Sequence, residues 1–596
     1  MNSMRTRLLV ALVAVVVVAL SVAAVGGFLP AVSDAPTDDS SVDSTEDSSM
    51  ESTDAPRADD RPTDPSTNET LGYVDGYWYD DELSVDDRSD ATLETDELEP
   101  VVSRAMARVE VIRNLTYENE VSVEVVSREE YRADSGDRFT DITETEQLHQ
   151  NVNYEALFMV DRNTDATDAA EGLYGGAVEG YYEPGTDRIV LVSDTPGSPE
   201  LDETVLAHEL VHALQDQQFD LASIQRETFD QDNARNGLIE GDASWVEAEY
   251  DSRCEAEWAC LDPGSSSQAP FSDINWGLYF AVYQPYDDGP DYVDSLLERG
   301  GWTAVNDAYE NPPASSSAVI HPGTDRDPEP IEVPDRSNDT WRQYEVDGEV
   351  ASETVGEAGM AAMFAAGVRD TSRPSVIESD EFIEADLGLD YDQPYTDGWA
   401  GDRLVTYVSD EADEATAVYD AVDHTGYVWR TAWESSEDSQ QFVDGYLQLL
   451  EAYGAEPVAD QQDTYVIDDE YPGAYYLDRD GETVTIVRAP SVDDLGAVHA
   501  GTPPAGEDTL EIEGTADEDD SEAGGVIAGH GAGIVGVGVA ALGAGILIFA
   551  VRRRDTFRAV DTVARTPSLD RAGTDGPPSP APFDSTARTR NTAVDG

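Results

Sequence analysis

The sequence predicts an α+β fold, and three observations predict it. Stretches with helical apolar spacing alternate with short strand-like runs through the middle of the chain. A hairpin pattern over residues 177–193 leads into a helix bearing paired histidines. Three short strand patterns, at 464–468, 474–479 and 483–488, follow a long helix near the end of the apolar region. The 596 residues exceed what one compact core supports, so two or more folded units are expected.

The elements follow in order. Arg5 and Arg7 precede an apolar run from Leu8 to Leu29, the pattern of a signal peptide or an N-terminal membrane segment over residues 1–29. Residues 30–70 are Asp, Ser, Thr and Pro with almost no apolar content, the composition of a disordered acidic stalk. Residues 92–113 carry Leu93, Leu98, Val101, Val102, Met106, Val109 and Ile112 at helical spacing, and 121–126 alternates as a strand. In the hairpin, Glu183-Pro-Gly-Thr-Asp187 is the turn. Ser198 and Pro199 read as the N-cap and first position of a helix running past Leu214, and a second helix covers roughly 228–252.

Residues 311–334 read as a Pro- and Ser-rich junction. It separates a first folded region at 71–335 from a C-terminal α+β region at 336–500. In the second region, 351–367 and 440–453 are predicted helices, and 403–409 and 427–433 predicted strands. An acidic linker at 501–530 leads to an apolar span at 531–551, long enough to cross a bilayer. Arg552, Arg553 and Arg554 place its far end inside the cell, followed by a Pro-rich cytoplasmic tail to residue 596. A buried core helix is the competing reading of either apolar run; their length and Arg flanks argue against it.

Charge narrows the setting. Acidic residues number 126 against 34 basic ones, a formal net charge of -92, and every basic residue is Arg. Such a chain repels itself at moderate ionic strength. At molar salt the screening length shrinks to roughly 3 Å and the repulsion is largely lost. Recurrent Trp, Tyr, Val and Leu argue for folding in strong salt rather than disorder. Phosphate contacts need a basic face, so nucleic acid is excluded as a partner. The sequons at Asn68, Asn114 and Asn338 fit an exterior location. Cys254 and Cys260 are the only cysteines. Outside the cell they are expected to form a disulfide, a metal pair being the weaker alternative.

The chemistry concentrates in Leu206-Ala-His-Glu-Leu-Val-His-Ala-Leu214, which contains H-E-x-x-H. Residues four apart share a helix face, so His208 and His212 can present imidazole nitrogens to one metal ion. Glu209 stands within reach of a water beside it. With seven histidines in the chain, the pattern arises by chance on the order of 0.01 times. Two hydrogen-bonded core histidines are the competing reading. A third ligand is needed for zinc. Glu240, on the helical face of Ile239, Ala243 and Val246, is the candidate; Asp242, Glu247 and Glu249 are its rivals.

The pentad followed by Glu240-Gly-Asp-Ala243 resembles the gluzincin group of zinc metallopeptidases. That resemblance implies a zincin-like core with His208, His212 and Glu240 as zinc ligands and Glu209 as general base. Thermolysin-like members carry an acid four residues after the ligand glutamate. Here that position is Ser244, which leaves the partner of a ligand histidine open, with Asp242 as a candidate. Over roughly 71–500 the chain is also similar to haloarchaeal membrane-anchored surface proteins bearing a metallopeptidase-like domain. The stretches that carry this are Gly180-Tyr-Tyr-Glu-Pro184, the pentad, Glu240-Gly-Asp-Ala243, Pro312 to Pro322 and Gly398-Trp-Ala-Gly-Asp-Arg403.

The expected activity is hydrolysis of peptide or protein substrates at the cell surface, with zinc as cofactor and the membrane as anchor. His321 is the candidate oxyanion donor, with Tyr181 or Tyr182 behind it; a turn-capping loop histidine is the competing reading. Trp399, Asp402 and Arg403 read as a structural corner. Two other classes stay open: a non-catalytic structural or adhesive envelope protein, and a metal-dependent hydrolase of a non-peptide substrate.

Overall fold

In the computed structural model of the chain, residue 56 and residues 61–512 are described, apart from 87, 89, 140–141, 175–177, 179, 185, 264–273, 325, 371, 385–387 and 415–417. The expected membrane segments at 1–29 and 531–551, most of the stalk and the tail at 552–596 lie outside the described residues. Among the described residues no helix is long and apolar enough to cross a membrane. The described residues belong to one compact unit; a second, Val551–Gly596, lies outside them.

The architecture is mixed α+β. Helix α1 (Leu98–Arg113) buries most of its surface and carries Arg104, Arg108 and Arg113 inward. A three-stranded sheet follows, with β1 (Ser122–Ser127) parallel to β3 (Arg188–Ser193) and β2 (Gly180–Glu183) antiparallel to β3 at the edge. Asp187, at φ 51°, makes the left-handed step in the turn between β2 and β3. Helix α2 (Glu144–Ala156) precedes this hairpin.

Helix α3 (Glu203–Phe219) carries the pentad. It starts at Asp202, whose side chain accepts from Thr204 N, and not at Ser198 as the Ser-Pro pattern suggested. The physical reason lies in the residues opposite. Leu93 N donates to Pro199 O, Leu201 N donates to Ala91 O, and Thr92 bridges Glu200. That pairing holds 199–201 extended, and likewise delays α1 to Leu98. Helix α4 (Phe229–Ala256) begins with Thr228 as N-cap, its side chain accepting from Gln231 N. Helices α5 (Trp276–Asp287), α6 (Gly289–Glu310) and α7 (Ser316–Ile320) pack around it, α7 being a short helix inside the expected 311–334 loop.

The C-terminal sheet is antiparallel and runs β8-β9-β10-β11-β7-β6-β4. Its strands are β4 (Trp341–Gln343), β6 (Trp399–Ser409), β7 (Thr425–Trp433), β8 (Glu456–Pro457), β9 (Thr464–Ile467), β10 (Gly473–Asp480) and β11 (Thr483–Ala489), with β5 (Ser352–Glu353) also pairing β6. Helices α8 (Gly356–Ala365) and α9 (Ser436–Ala452) cover it.

The cores do not follow the expected division at 335/336. The largest apolar cluster joins this sheet to α2, to residues 157–160 and to α5. Phe158, far upstream, sits among Tyr453, Tyr471 and Tyr475. The N-terminal and linker expectations also shift. Residues 61–70 of the expected stalk are tied in through Thr116 Oγ1 to Asn68 O. Residues 501–512 of the expected linker dock on the sheet, with Asp463 accepting from Leu510 N and the side chains of Leu510 and Ile512 on the core.

Trp399 and Asp402 do form a structural corner. Asp402 accepts from the indoles of Trp399 and Trp429 and from the backbone N–H groups of Val355 and Gly356. Arg403 does not pair with it; it donates to Ser352 Oγ. Asp402 thereby caps the start of α8. Gly356, at φ 75°, lies so close to Asp230 that any side chain there would overlap its carboxylate. Asp230 in turn accepts from Ser316 N and Oγ. The beginnings of α4, α7 and α8 are thus fastened together. The Cys254–Cys260 disulfide forms at the far end of α4. Asn68, Asn114 and Asn338 are all exposed.

Candidate metal centre

Helix α3 is buried on nearly all sides, as a core helix must be. Its first turn is anchored by Glu203, which is fully buried and accepts from Arg108 Nη1, Tyr250 Oη and Leu261 N, with Arg104 alongside. An isolated buried carboxylate would be costly; here every oxygen has a donor. Helix α4 crosses beneath, and the two helices bring His208, His212 and Glu240 together.

The donor atoms form a small triangle. His208 Nε2 and His212 Nε2 are 3.1 Å apart, and Glu240 Oε2 lies 3.4 Å from the first and 3.2 Å from the second. All three residues are buried. Bonds of about 2.0–2.1 Å directed to the corners of a tetrahedron have edges of about 3.3 Å, so this triangle is one face of such a tetrahedron. Two further contacts set which nitrogen faces inward. His208 Nδ1 donates to Glu247 Oε2 at 2.9 Å, and His212 Nδ1 donates to Gln215 Oε1 at 2.8 Å. Each imidazole then presents its Nε2 lone pair to the triangle. Three inward acceptors at this spacing repel one another unless a proton or a metal cation joins them. Two imidazoles and a carboxylate are the donor set of zinc and its neighbours.

Gln215 is itself held. Its Nε2 donates to Ile239 O at 2.9 Å and to Asp242 Oδ2 at 3.3 Å, which turns Oε1 toward His212. Asp242 is clamped by Arg113 and by Tyr309 Oη. Asp242 therefore does not touch a ligand histidine, as the sequence allowed; it acts through Gln215. The role left open by Ser244 falls to Glu247. Glu249, another rival ligand, pairs with Arg253. Neither Gln215 nor the supporting role of Glu247 was read from the sequence. The signal was helical spacing: Glu247 is two turns beyond Glu240, and Gln215 two turns beyond His208.

Glu209 is fully buried, and among the described residues neither carboxylate oxygen has a hydrogen-bond partner. Burial raises its pKa to about 7, although His212 and His208 pull the other way. For Glu240, burial works upward too, but the imidazoles of His212 and His208 outweigh it and hold the carboxylate below its usual range. The edge strand lies directly on Glu209: a Cβ at Gly180 would sit 3.5 Å from Glu209 Cγ.

His321 is not brought to the triangle. Its Nε2 pairs with Glu357 at 2.9 Å, in a separate group with Asp392, Asp397 and Arg326. The fully buried Glu357 claims it at the start of α8, so the oxyanion role expected of His321 has no geometric support. Tyr182 is likewise turned away, its hydroxyl donating to Asp216.

Residues 342–499 match a family described as a domain of unknown function (DUF8575). That stretch covers the C-terminal sheet and stops short of the triangle. No curated protein and no solved structure matches the chain.

If Glu247 orients His208, Glu247→Gln weakens zinc binding by about 10- to 100-fold, since the partners of ligand imidazoles contribute on that scale. Competition against a chelator of known affinity reads this directly. Unchanged affinity would remove Glu247 from the centre.

Proposed function

We propose that the chain is a zinc metallopeptidase of the gluzincin type, working at the outer face of a cell membrane in concentrated salt. The observation that carries this is the triangle of His208, His212 and Glu240, edged at 3.1–3.4 Å, beside a buried and unpaired Glu209. The Arg-flanked apolar runs at the two ends and the charge of -92 support the location and the salt.

His208, His212 and Glu240 would hold the zinc, which supplies Lewis acidity to the water and to the carbonyl under attack. The chain's own residues do the rest. Glu247 and Gln215 hold the Nδ1 atoms, so that each imidazole, when neutral, turns its Nε2 lone pair to the triangle. Glu209 takes the proton of the attacking water and returns it to the leaving amine nitrogen as the C–N bond breaks. Strand β2, at the sheet edge among the described residues, offers backbone groups to an extended substrate, which would lie as an added strand. A strand added there would run beside the turn that carries Glu209, since a Cβ at Gly180 would come 3.5 Å from Glu209 Cγ.

The test is hydrolysis of an unstructured protein by the purified chain in molar KCl. One zinc per chain is expected, with activity abolished by a chelator and restored by zinc. Bound zinc without hydrolysis of any protein would favour a non-catalytic envelope role. Hydrolysis indifferent to chelation would overturn the mechanism.

A further inference from the structure

Helix α5 ends at Asp287 and α6 starts at Gly289, and this corner is pressed against the metal helix. A side chain at Gly241 would overlap the carbonyl of Gly289, and a Cβ at Gly289 would come 2.6 Å from Gly237 O. This glycine crossing straddles Glu240 in sequence. It therefore seats Asp287 and Asp288 beside the turn that supplies the third ligand.

Asp287 accepts from Leu389 N through both oxygens, and Asp288 Oδ2 accepts from Gln284 Nε2 at 3.1 Å. The charges that act most strongly on this pair are all carboxylates: Asp291, Glu384, Glu357 and Asp390, besides the pair's own members. Burial first, and then these neighbours, raise both groups, Asp288 to about 8. Gln284 is fully buried, and its Oε1 has no partner among the described residues. A buried acceptor without a donor is costly. This one belongs to the side chain that bonds Asp288.

The corner is reachable and has aromatic walls. Asp287, Asp288, Tyr279, Tyr283 and Tyr286 all keep partial exposure. Tyr279 stacks on Tyr283, and Tyr283 on Tyr286, with centroids 5.1 and 5.8 Å apart. Tyr283 lies in the electrostatic field of Glu247, the partner of His208. A compact metal ion fits poorly: among the described residues, the groups of three or more His, Cys, Asp or Glu whose ligand atoms gather within 4.8 Å are the triad and the His321 group, and the Asp287–Asp288 corner is not among them. Spread acceptors beside stacked rings suit a flat cation with several N–H groups, which is a guanidinium.

We propose that the Asp287–Asp288 corner, with Gln284 and the Tyr279–Tyr283–Tyr286 ladder, is a specificity subsite for an arginine side chain of the peptide substrate. The proposal rests on reading the triad as a peptidase centre, but its test need not. Calorimetry in molar KCl compares N-acetyl-arginine amide with N-acetyl-citrulline amide, which keeps the shape and loses the charge. Because the raised pair must give up a proton to meet the guanidinium, the arginine compound binds the native chain about 30-fold tighter or more on the alkaline side of about pH 8, the scale of a partly buried charge pair, and the difference narrows as the pH falls. Asp287→Asn with Asp288→Asn removes the difference. Should the double variant fail to fold, Asp288→Asn alone and the two ligands on the native chain still decide.

Equal binding of the two ligands overturns the subsite whether or not the protein cleaves peptides. In hydrolysis, cleavage without preference for arginine over citrulline sinks the subsite alone. Absence of any cleavage, with arginine binding intact, sinks the peptidase reading and leaves the subsite standing.

Discussion

Glu209→Gln is expected to retain one zinc per chain and to lower peptide hydrolysis by about 10²- to 10⁴-fold, the contribution of a positioned general base. Gln has the shape of Glu and cannot accept the proton. The substitution also separates chemistry from stability. Glu209 is fully buried, with no hydrogen-bond partner for either oxygen among the described residues. An ionised carboxylate in that state is a cost to the fold, and an amide removes the charge. The melting temperature should therefore stay level or rise while activity falls. Such a trade is the mark of a residue kept for chemistry. Zinc content is read by metal analysis, turnover by peptide release and stability by thermal melting in the same salt. Unchanged turnover would remove Glu209 from the reaction. Lost zinc would make it a positioning residue.

What was legible in the sequence follows from locality. His208 and His212 meet because four residues are one turn of helix, and Glu240 could be singled out because its apolar neighbours mark an inward face. The C-terminal strands were legible for the same kind of reason, since period-2 runs such as Thr483–Ala489 declare themselves. The misses are nonlocal. Ser198-Pro199 is a good helix start in isolation, yet pairing with Ala91–Leu93 overrides it. His321 sits in a motif-like stretch, yet Glu357, on a separate helix, takes its imidazole. Asp463 recruits residues 509–510, which by composition alone read as linker. The Arg113–Asp242–Gln215–His212 relay joins three helices through side chains that one-dimensional spacing cannot relate.

Glu240→Ala should have the second large effect. It leaves two imidazole nitrogens 3.1 Å apart with no carboxylate to complete the triangle. Two neutral donors hold a divalent cation far more weakly than three donors with one negative charge. The variant should lose zinc on desalting and hydrolyse substrate only at background. A further consequence tests the site as part of the fold. A cation bound only to the native state stabilises it by about 4 kcal/mol when free zinc is 1,000 times the dissociation constant. Zinc should therefore raise the melting temperature of the native chain, a chelator should lower it, and Glu240→Ala should respond to neither. The starting stability of the variant need not fall, because the substitution also removes a buried charge. The zinc-dependent part is the diagnostic. If the variant keeps its zinc and its zinc-dependent melting, the third ligand is another acid. Glu247 is the nearest such acid on the same helix, although it would have to leave Nδ1 of His208, 2.9 Å away, to reach the Nε2 side. The double variant Glu240→Ala with Glu247→Ala would expose that substitution of roles by losing zinc where the single change did not.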